Sequence, residues 1–350
     1  MKFEKFHLSK SLETAFFKDK LVPSQIESLK RHCQTYQDGD LPKWKSKNYH
    51  PYSSYLGFVT ALKAKACLAE LNAWGYLKAF ESEPVAIIDI GAGTLGATLG
   101  AADFLKESGM KLQQILAVDQ DINALKWALE HFDSEISAKI SLRRTFPEAL
   151  KPKNAIVLFA NVLTELGLKE ESFKIEKPGK ALKLFEQWME AADDKSIFVF
   201  IEPGTKQTNL NFLKLRDHLS QKYNVLLPCT HRQACPALRL KEWCHEERSY
   251  KAPNAYWDLV KALNFRKKTL SFSMLCVGKQ ESKMKPHLGR VVSRSLPSKG
   301  RSTKWICSEG ERWKESKLLR NQDEQNSEFF EAVRGSIIDC KKAECSKNRP

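Results

Sequence analysis

Short apolar runs alternate with helical patterns over residues 84–278 of the chain. Five of these runs have the length and character of buried strands: 85–89, 115–119, 139–142, 155–160 and 197–202. Three of the intervening segments carry apolar residues at helical spacing: 96–108, 122–132 and 179–192. Because strands that alternate with helices are joined by crossover connections, the pattern predicts a parallel sheet with helices on both faces.

Two more apolar runs, 223–227 and 270–277, are also predicted to be strands. We expect them to form an antiparallel pair at one edge of the sheet. The cysteine-containing stretch 228–250 then lies in the connection between them.

The first 80 residues are predicted to be mostly helical. Residues 51–79 carry apolar side chains near the helical period and predict one long amphipathic helix. Ser24 and Glu27 form a capping-box pattern that predicts the start of an earlier helix. The basic, aromatic segment 44–52 is interpreted either as a surface loop or as a segment that stacks on nucleic-acid bases.

After residue 278 the chain becomes basic and rich in Ser, Pro and Gly, and it is apolar again at 305–307. This change of composition predicts a small β-containing appendix at 279–340 and a frayed tail at 341–350. The predicted organisation is therefore a helical N-terminal region (1–80) and a Rossmann-like domain (81–278) with an insertion (228–250), followed by the appendix and the tail.

The composition of the 350-residue chain, with 42% hydrophobic residues, is typical of a globular protein. The formal net charge is +15 and both ends are basic, which favours a polyanionic partner, nucleic acid before membrane. A solvated basic surface is the equal alternative. No apolar run reaches the roughly 18 residues that span a bilayer, and the N-terminal residues, with Glu4 and Glu13, resemble no targeting peptide. We therefore expect a cytoplasmic protein with no membrane association.

A glycine loop, Gly91-x-Gly93-x-x-Gly96, follows the first predicted strand and opens a helix. Such a loop binds either a dinucleotide or S-adenosylmethionine. Asp89 favours S-adenosylmethionine, because a carboxylate there can orient the loop and attract an ammonium group; a helix cap is its alternative role. Asp119 ends the next strand, where it can accept hydrogen bonds from ribose hydroxyls. We therefore predict a class I S-adenosylmethionine-dependent methyltransferase fold.

The ends of the fourth and fifth predicted strands should face the same crevice. Asn161 and Glu165 are candidate pocket residues there, with turn and N-cap roles as the alternative. The segment lacks the Asn/Asp-Pro-Pro-aromatic motif of amino-group methyltransferases, and it has no cysteine that could attack a pyrimidine. No catalytic residue is assigned, so cofactor binding is better supported than catalysis.

Cys229, Cys235 and Cys244 are spaced C-x5-C-x8-C, with His231 and His245 among them. Thiolates at such spacing suit zinc or an iron–sulfur cluster. Cys307 and Cys276 are the candidates for a fourth ligand, and the two histidines offer a zinc alternative. Three unligated cysteines in an irregular loop are the remaining interpretation.

These motifs together resemble the methyltransferase-like proteins of mitochondrial small-ribosomal-subunit assembly and their bacterial relatives. The resemblance extends over most of residues 50–335, through Glu202-x-Gly204-Thr205, the cysteine stretch, Phe272-Ser-Met-Leu and Cys307-x-x-Gly310. It departs at Pro203, where relatives usually have Arg.

The resemblance implies a [4Fe-4S] cluster held by Cys229, Cys235, Cys244 and Cys307. It also implies binding to small-subunit rRNA in support of subunit assembly and translation, and a mitochondrial location in a eukaryote. Ligation by Cys307 would tie the appendix to the sheet. Methyl transfer by the family is in doubt, so an active rRNA methyltransferase is the alternative function. A radical S-adenosylmethionine enzyme is disfavoured because the tight C-x3-C-x2-C motif is absent.

Overall fold

The computed structural model describes residues 5–37, 48–132, 136–168, 179–265, 269–324, 326–341 and 345. Its helices in chain order are α1 (Lys10–Phe16), α2 (Pro23–Gln37), α3 (His50–Tyr52), α4 (Phe58–Ala73), α5 (Ala79–Ser82), α6 (Gly96–Glu107), α7 (Ile122–His131), α8 (Lys180–Ala191), α9 (Lys206–Leu219), α10 (Pro236–Arg239), α11 (Asn254–Ala262) and α12 (Ser327–Glu331). The strands are β1 (Val85–Ile90), β2 (Leu112–Val118), β3 (Ile140–Arg143), β4 (Ala155–Ala160), β5 (Ile197–Pro203), β6 (Asn224–Leu227), β7 (Glu246–Arg248), β8 (Leu270–Gly278), β9 (Leu288–Val291), β10 (Leu296–Ser298), β11 (Arg301–Ser308), β12 (Glu311–Leu318) and β13 (Ile337–Asp339).

The larger sheet has the strand order β3-β2-β1-β4-β5-β8-β6, with β7 paired to β8. The strands from β3 to β5 are parallel, and β8 is antiparallel to both β5 and β6. Every residue of β1 and β4 is buried, which explains why both strands are apolar apart from Asp89. This is the predicted class I methyltransferase fold. All seven predicted strands are present, whereas β7 was not predicted.

The long N-terminal helix ends earlier than its apolar pattern predicted. A π-helical turn (Ser53–Gly57) joins α3 to α4, and α4 stops at Ala73 rather than at residue 79. Gly75 has φ +73° and donates its N–H to the Asn72 carbonyl at 2.7 Å, while Tyr76 donates to the Leu71 carbonyl at 2.9 Å. These bonds form a Schellman motif, which ends the helix although apolar residues continue beyond it.

The start of α2 also differs from the prediction. The helix begins at Pro23, so Ser24 lies inside its first turn and does not cap it. The backbone N–H of Val22 donates to Oε1 of Gln25 at 2.8 Å. Gln25, not Glu27, therefore occupies the position whose side chain folds back on the helix start.

Helix α4 packs closely on α6 because small residues face each other. A Cβ atom on Gly100 would lie 2.0 Å from the Ala61 carbonyl oxygen, and one on Gly96 would lie 2.7 Å from that of Gly57. Both glycines are therefore required for the approach of the two backbones. This contact places the N-terminal helices directly against the helix that follows the glycine loop.

The C-terminal region forms a separate antiparallel sheet, as the predicted β-containing appendix requires. Its strand order is β10-β11-β9-β13, with β12 paired to β11. Its small core contains Val291, Ile306, Phe329 and Ile338. No helix among the described residues has the length and apolar character needed to cross a bilayer.

Four buried charged side chains, which we call the ion cluster, connect α4, β7 and β9. Glu70 accepts hydrogen bonds from Arg290 Nη1 at 2.7 Å and from Arg248 Nη2 at 2.5 Å. Glu246 accepts from Arg290 Nε at 2.9 Å and from Arg248 Nη1 at 2.7 Å. Burial would raise the pKa of Glu246, but the two arginines outweigh it and lower that pKa to about 2. The cluster therefore joins the N-terminal helices, the insertion and the appendix.

Candidate functional site

The glycine loop lies between β1 and α6 and adopts left-handed backbone conformations. Gly91 has φ +74°, Gly93 has φ +50° and Leu95 has φ +63°. A Cβ on Gly91 would lie 2.6 Å from Val162 Cγ2, whereas one on Gly93 would meet no atom within 4 Å. Gly91 is thus fixed by a close approach, and Gly93 borders open space that a ligand can enter.

Asp119 shapes this loop from the end of β2. Its Oδ2 accepts a hydrogen bond from the Gly93 N–H at 2.7 Å, and its Oδ1 accepts one from the Asp121 N–H at 2.8 Å. Burial raises the pKa of Asp119, and these two N–H donors oppose the rise. Each carboxylate oxygen can accept a further bond, which is the capacity needed for a ribose diol.

Asp89 lies on β1 beneath the loop and is fully buried. Its Oδ2 accepts from the Thr98 N–H at 3.1 Å and from the Thr98 hydroxyl at 2.6 Å. Asp89 therefore caps α6, the alternative role considered for it. Its Oδ1 has no hydrogen-bond partner among the described residues. Burial raises the pKa of Asp89 to about 7.

Asn161 and Glu202 lie at the ends of the neighbouring strands β4 and β5. Asn161 has φ +61° and donates its backbone N–H to the Ile201 carbonyl at 2.7 Å. Glu202 is fully buried, where it accepts from the Leu163 N–H at 2.9 Å and from the Thr164 hydroxyl. Burial raises the pKa of Glu202 to about 8, so its carboxyl is protonated at neutral pH. No pattern in the sequence indicates a role for this buried acid.

The chain before α4 covers the crevice beside Asp119. The Tyr49 hydroxyl donates to Asp121 Oδ2 at 2.8 Å, and burial followed by this bond raises the Tyr49 pKa to about 12. Burial also raises the pKa of Tyr52, with the charges of Glu165 and Asp119 adding to the rise. Segment 44–52 was predicted to be a surface loop or to stack on nucleic-acid bases. Residues 48–52 instead pack on the crevice, and residues 44–47 lie outside the described part of the chain.

A second cavity, of about 40 Å³, lies at the carboxyl end of β6, and we call it the cysteine cavity. It is lined by Cys229, Cys235, Cys244 and Cys307. Burial, together with the neighbouring cysteines, raises the pKa of Cys235 to about 11 and that of Cys244 to about 12. The fold thus brings Cys307 of β11 to the three insertion cysteines.

Cys276, the other candidate for a fourth ligand, does not line the cavity. It lies fully buried on β8 in the main apolar core. Within the described residues, no three or more His, Cys, Asp or Glu side chains are grouped closely enough to hold one metal ion. All four cysteines nevertheless line the same cavity.

Helix α9 positions the insertion that carries these cysteines. Asn209 Oδ1 accepts from the Cys244 N–H at 2.9 Å, and both carboxylate oxygens of Asp217 accept from the Cys235 N–H at 3.0 Å. Arg216 donates to the His231 carbonyl at 2.7 Å. These side chains recur at helical spacing, so one face of α9 is built to hold the insertion.

The two histidines of the insertion differ in their surroundings. His231 Nε2 lies 3.5 Å from Cys307 Sγ, while its Nδ1 is buried with no partner among the described residues. Burial and then Arg216 lower the pKa of His231 to about 4, so its imidazole is neutral. His245 also lines the cavity, and its Nε2 pairs with Glu247 at 3.3 Å.

The sequence profile of one protein family, described as mitochondrial small ribosomal subunit Rsm22, matches residues 66–336 of the chain. The glycine loop, its acidic residues and all four cavity cysteines fall inside this match. No curated protein sequence matches the chain.

Several solved structures are distantly similar. An uncharacterized protein from Burkholderia thailandensis is 10% identical with a TM-score of 0.40, over 75% of this chain and 96% of that protein. A ribosomal protein L11 methylase from Lactobacillus delbrueckii subsp. bulgaricus is 12% identical with a TM-score of 0.33, over 61% and 79%. TrmK from M. capricolum, solved with S-adenosyl-homocysteine, is 12% identical with a TM-score of 0.30, over 61% and 69%. The fold is defined by the chain's own strand order.

Proposed function

The chain belongs to the Rsm22 family of mitochondrial small ribosomal subunit proteins, and on that premise we propose that it is a methyltransferase-like factor that acts on the small ribosomal subunit in assembly and translation. We propose that it binds S-adenosylmethionine and a [4Fe-4S] cluster. The observation that carries this proposal is the convergence of four cysteines on one cavity, at the same sheet edge as the glycine loop. An apolar core alone does not explain why a cofactor crevice and four cysteines lie at the same edge of the sheet.

The crevice residues fit S-adenosylmethionine. Asp119 can accept hydrogen bonds from the ribose hydroxyls, and Gly93 leaves room for the cofactor. The Oδ1 atom of Asp89 has no hydrogen-bond donor among the described residues, and the ammonium group of the cofactor can supply one. Asn161 completes the crevice from the end of β4. Bound S-adenosylmethionine supplies an electrophilic methyl group.

The proposed role is binding rather than catalysis. Glu202, a buried acid at the crevice, is protonated at neutral pH and already bonded to Leu163 and Thr164. It therefore supports the strand ends and does not act as a general base. An active rRNA methyltransferase remains the alternative function, which a methyl-transfer assay on small-subunit rRNA would detect.

Cys229, Cys235, Cys244 and Cys307 line one cavity, and four sulfur ligands with both histidines unligated match the iron–sulfur cluster that the family resemblance implies. The cluster supplies a covalent link among the four thiolates. The backbone bonds from α9 to Cys235 and Cys244 preorganise the insertion for it. Zinc is the alternative metal.

The net charge of +15 supports an rRNA partner, since basic proteins bind phosphates strongly and with steep salt dependence. The proposed compartment follows from the ribosome it serves: the mitochondrion in a eukaryote and the cytoplasm in a bacterium.

Anaerobic purification with absorption spectroscopy and iron, sulfide and zinc analysis tests the cluster. We expect equal iron and sulfide in the wild type, loss in Cys235→Ser and Cys307→Ser, and retention in Cys276→Ser, the matched control. Stoichiometric zinc without sulfide would show that the iron–sulfur assignment is wrong.

Two further measurements test the other parts. Calorimetry should show that Asp119→Ala weakens S-adenosylmethionine binding by about 1–3 kcal/mol, because ribose hydroxyls lose their acceptors. Tighter binding of NAD than of S-adenosylmethionine would contradict the cofactor. The wild type should co-sediment with small subunits at low salt and less at moderate salt, and no association at low salt would contradict the partner.

A further inference from the structure

Trp243 is an exposed tryptophan of the insertion. Its side chain is 38% exposed, although the next residue is the cavity ligand candidate Cys244. The indole stacks on the imidazole of His245, with ring centroids 4.1 Å apart and an interplanar angle of 27°. His245 therefore covers one face of the indole.

Two arginines of the appendix flank this ring pair. Arg334 Nη1 donates to the His245 carbonyl at 3.2 Å, and Arg294 Nε donates to Glu247 Oε2 at 2.8 Å. Glu247 also pairs with His245 at 3.3 Å, so it is the point where the ring pair and Arg294 meet. The Arg294 side chain is 69% exposed, which leaves its terminal guanidinium nitrogens in solvent.

A basic hairpin continues from Arg294. Strands β10 and β11 pair from Leu296↔Thr303 to Ser298↔Arg301, and Lys299 and Gly300 form the turn. Arg294, Lys299 and Arg301 are all exposed, and in the described part of the chain β10 pairs with β11 alone. From Arg294 to the turn the hairpin is roughly 15–20 Å long at about 3.4 Å per residue. We call it the basic arm, and its Arg294 end is linked to the ring pair through Glu247.

We propose that Trp243, Arg294 and the β10–β11 hairpin form a binding surface for unpaired RNA. One base stacks on the free face of Trp243, and the arginines and Lys299 of the arm contact the phosphates that follow. Stacking selects unpaired RNA, because the bases of a duplex already stack on each other. This surface rests on the proposed function, since it names the part of the chain that recognises rRNA.

RNA explains the arrangement better than a protein partner does. The charge along the arm is basic, and Glu247 beside the ring is already engaged by His245 and Arg294. One oxygen of Glu247 pairs with His245 and the other with Arg294, so the carboxylate holds the Arg294 guanidinium in place.

Fluorescence anisotropy of the full chain with a short labelled oligouridylate, and with a duplex of equal length, tests the surface. We expect Trp243→Ala to weaken oligouridylate binding by about tenfold or more, and Trp243→Phe to keep most of the affinity. Arg294→Ala should lower the affinity and reduce the salt slope by about 0.7 for one lost phosphate contact. Lys111→Ala is the matched control, because Lys111 is an exposed base at the opposite, amino end of β2.

An iron content equal to that of the wild type would show, for each variant, that the adjacent Cys244 site is intact. The proposal is wrong if wild type does not bind oligouridylate, if Trp243→Ala binds it as wild type does, or if that variant loses duplex binding equally. It is also wrong if Trp243→Ala loses small subunits but keeps oligouridylate, since the ring would then contact a ribosomal protein. Failure of the wild type to co-sediment with small subunits refutes the proposed function instead.

Discussion

Replacement of Glu70 by Gln should destabilise the protein far more than its nearly unchanged volume suggests. Glu70 and Glu246 balance Arg248 and Arg290 in the ion cluster, and all four side chains are at most 5% exposed. The variant leaves two buried guanidinium groups with one carboxylate. Removal of one partner from a buried ion pair costs about 3–5 kcal/mol, because the remaining charge is uncompensated.

Guanidinium unfolding followed by circular dichroism measures this loss. The matched control is Glu190→Gln, because Glu190 pairs with Lys222 at 3.0 Å on the surface, with both side chains more than half exposed. We expect this control to change stability by about 0–1 kcal/mol. The double variant Glu70→Gln/Arg248→Met restores neutrality, so its destabilisation should be smaller than the sum of the two single effects.

The reasoning fails if Glu70→Gln shifts the unfolding midpoint no further than Glu190→Gln does. Hydrogen exchange locates the effect, since faster exchange of β9 and β13 in the variant would show that the appendix is loosened. Faster exchange in α4 alone would mean that the cluster stabilises the helix without fixing the appendix.

Four other changes give distinct outcomes. Gly100→Ala should destabilise the protein by about 1–3 kcal/mol in thermal melting, because its Cβ would meet the Ala61 carbonyl. A Cβ on Gly179 would meet no atom within 4 Å, so Gly179→Ala should leave stability unchanged. Since burial raises the Glu202 pKa to about 8, the folded state favours the protonated acid, and stability should fall between about pH 5.5 and pH 8. Denaturation curves at these two pH values should show that Glu202→Gln removes roughly 2–3 kcal/mol of that fall, and an unchanged fall would contradict the assignment. Asn209→Ala should lower iron and sulfide content because the Cys244 backbone loses its support, while Gln221→Ala, on the turn after α9, should not. Cys307→Ser should lose the iron–sulfur cluster yet leave the appendix resistant to limited proteolysis, and cleavage as fast as in Glu70→Gln would contradict this expectation.

Local patterns were sufficient to predict the central sheet. The runs that became β1 and β4 are buried on both faces, so apolar continuity alone identifies them. The same continuity gave the wrong end for α4, because Leu77 is apolar and buried beyond the Schellman turn. Gly75 was the available signal, since a glycine after a helical segment often adopts the left-handed conformation that ends it.

Spacing in the sequence singles out the glycine loop and the insertion cysteines, whereas it leaves Cys276 and Cys307 as alternatives for the distant ligand. Asp89, Gly91 and Gly93 belong to one strand and loop, and their spacing carries the information. The contact of Tyr49 with Asp121 and the pairing of Glu70 with Arg290 join residues far apart in the chain. Periodicity identifies which face of an element is buried, but it does not identify which distant partner covers that face.

The ion cluster changes what the proposed iron–sulfur cluster must do for the fold. In a protein whose metal site supplies most of the folding free energy, loss of one ligand unfolds the surrounding segment. Here Arg290 of β9 already connects the appendix to Glu70 and Glu246, and both Glu246 and Arg290 also line the cysteine cavity. Because these ion pairs hold the appendix beside the insertion before any metal binds, Cys307 can reach the other three cysteines in the metal-free chain. The proposed iron–sulfur cluster is therefore expected to assemble into a largely formed cavity, and its loss should be reversible without refolding of the protein.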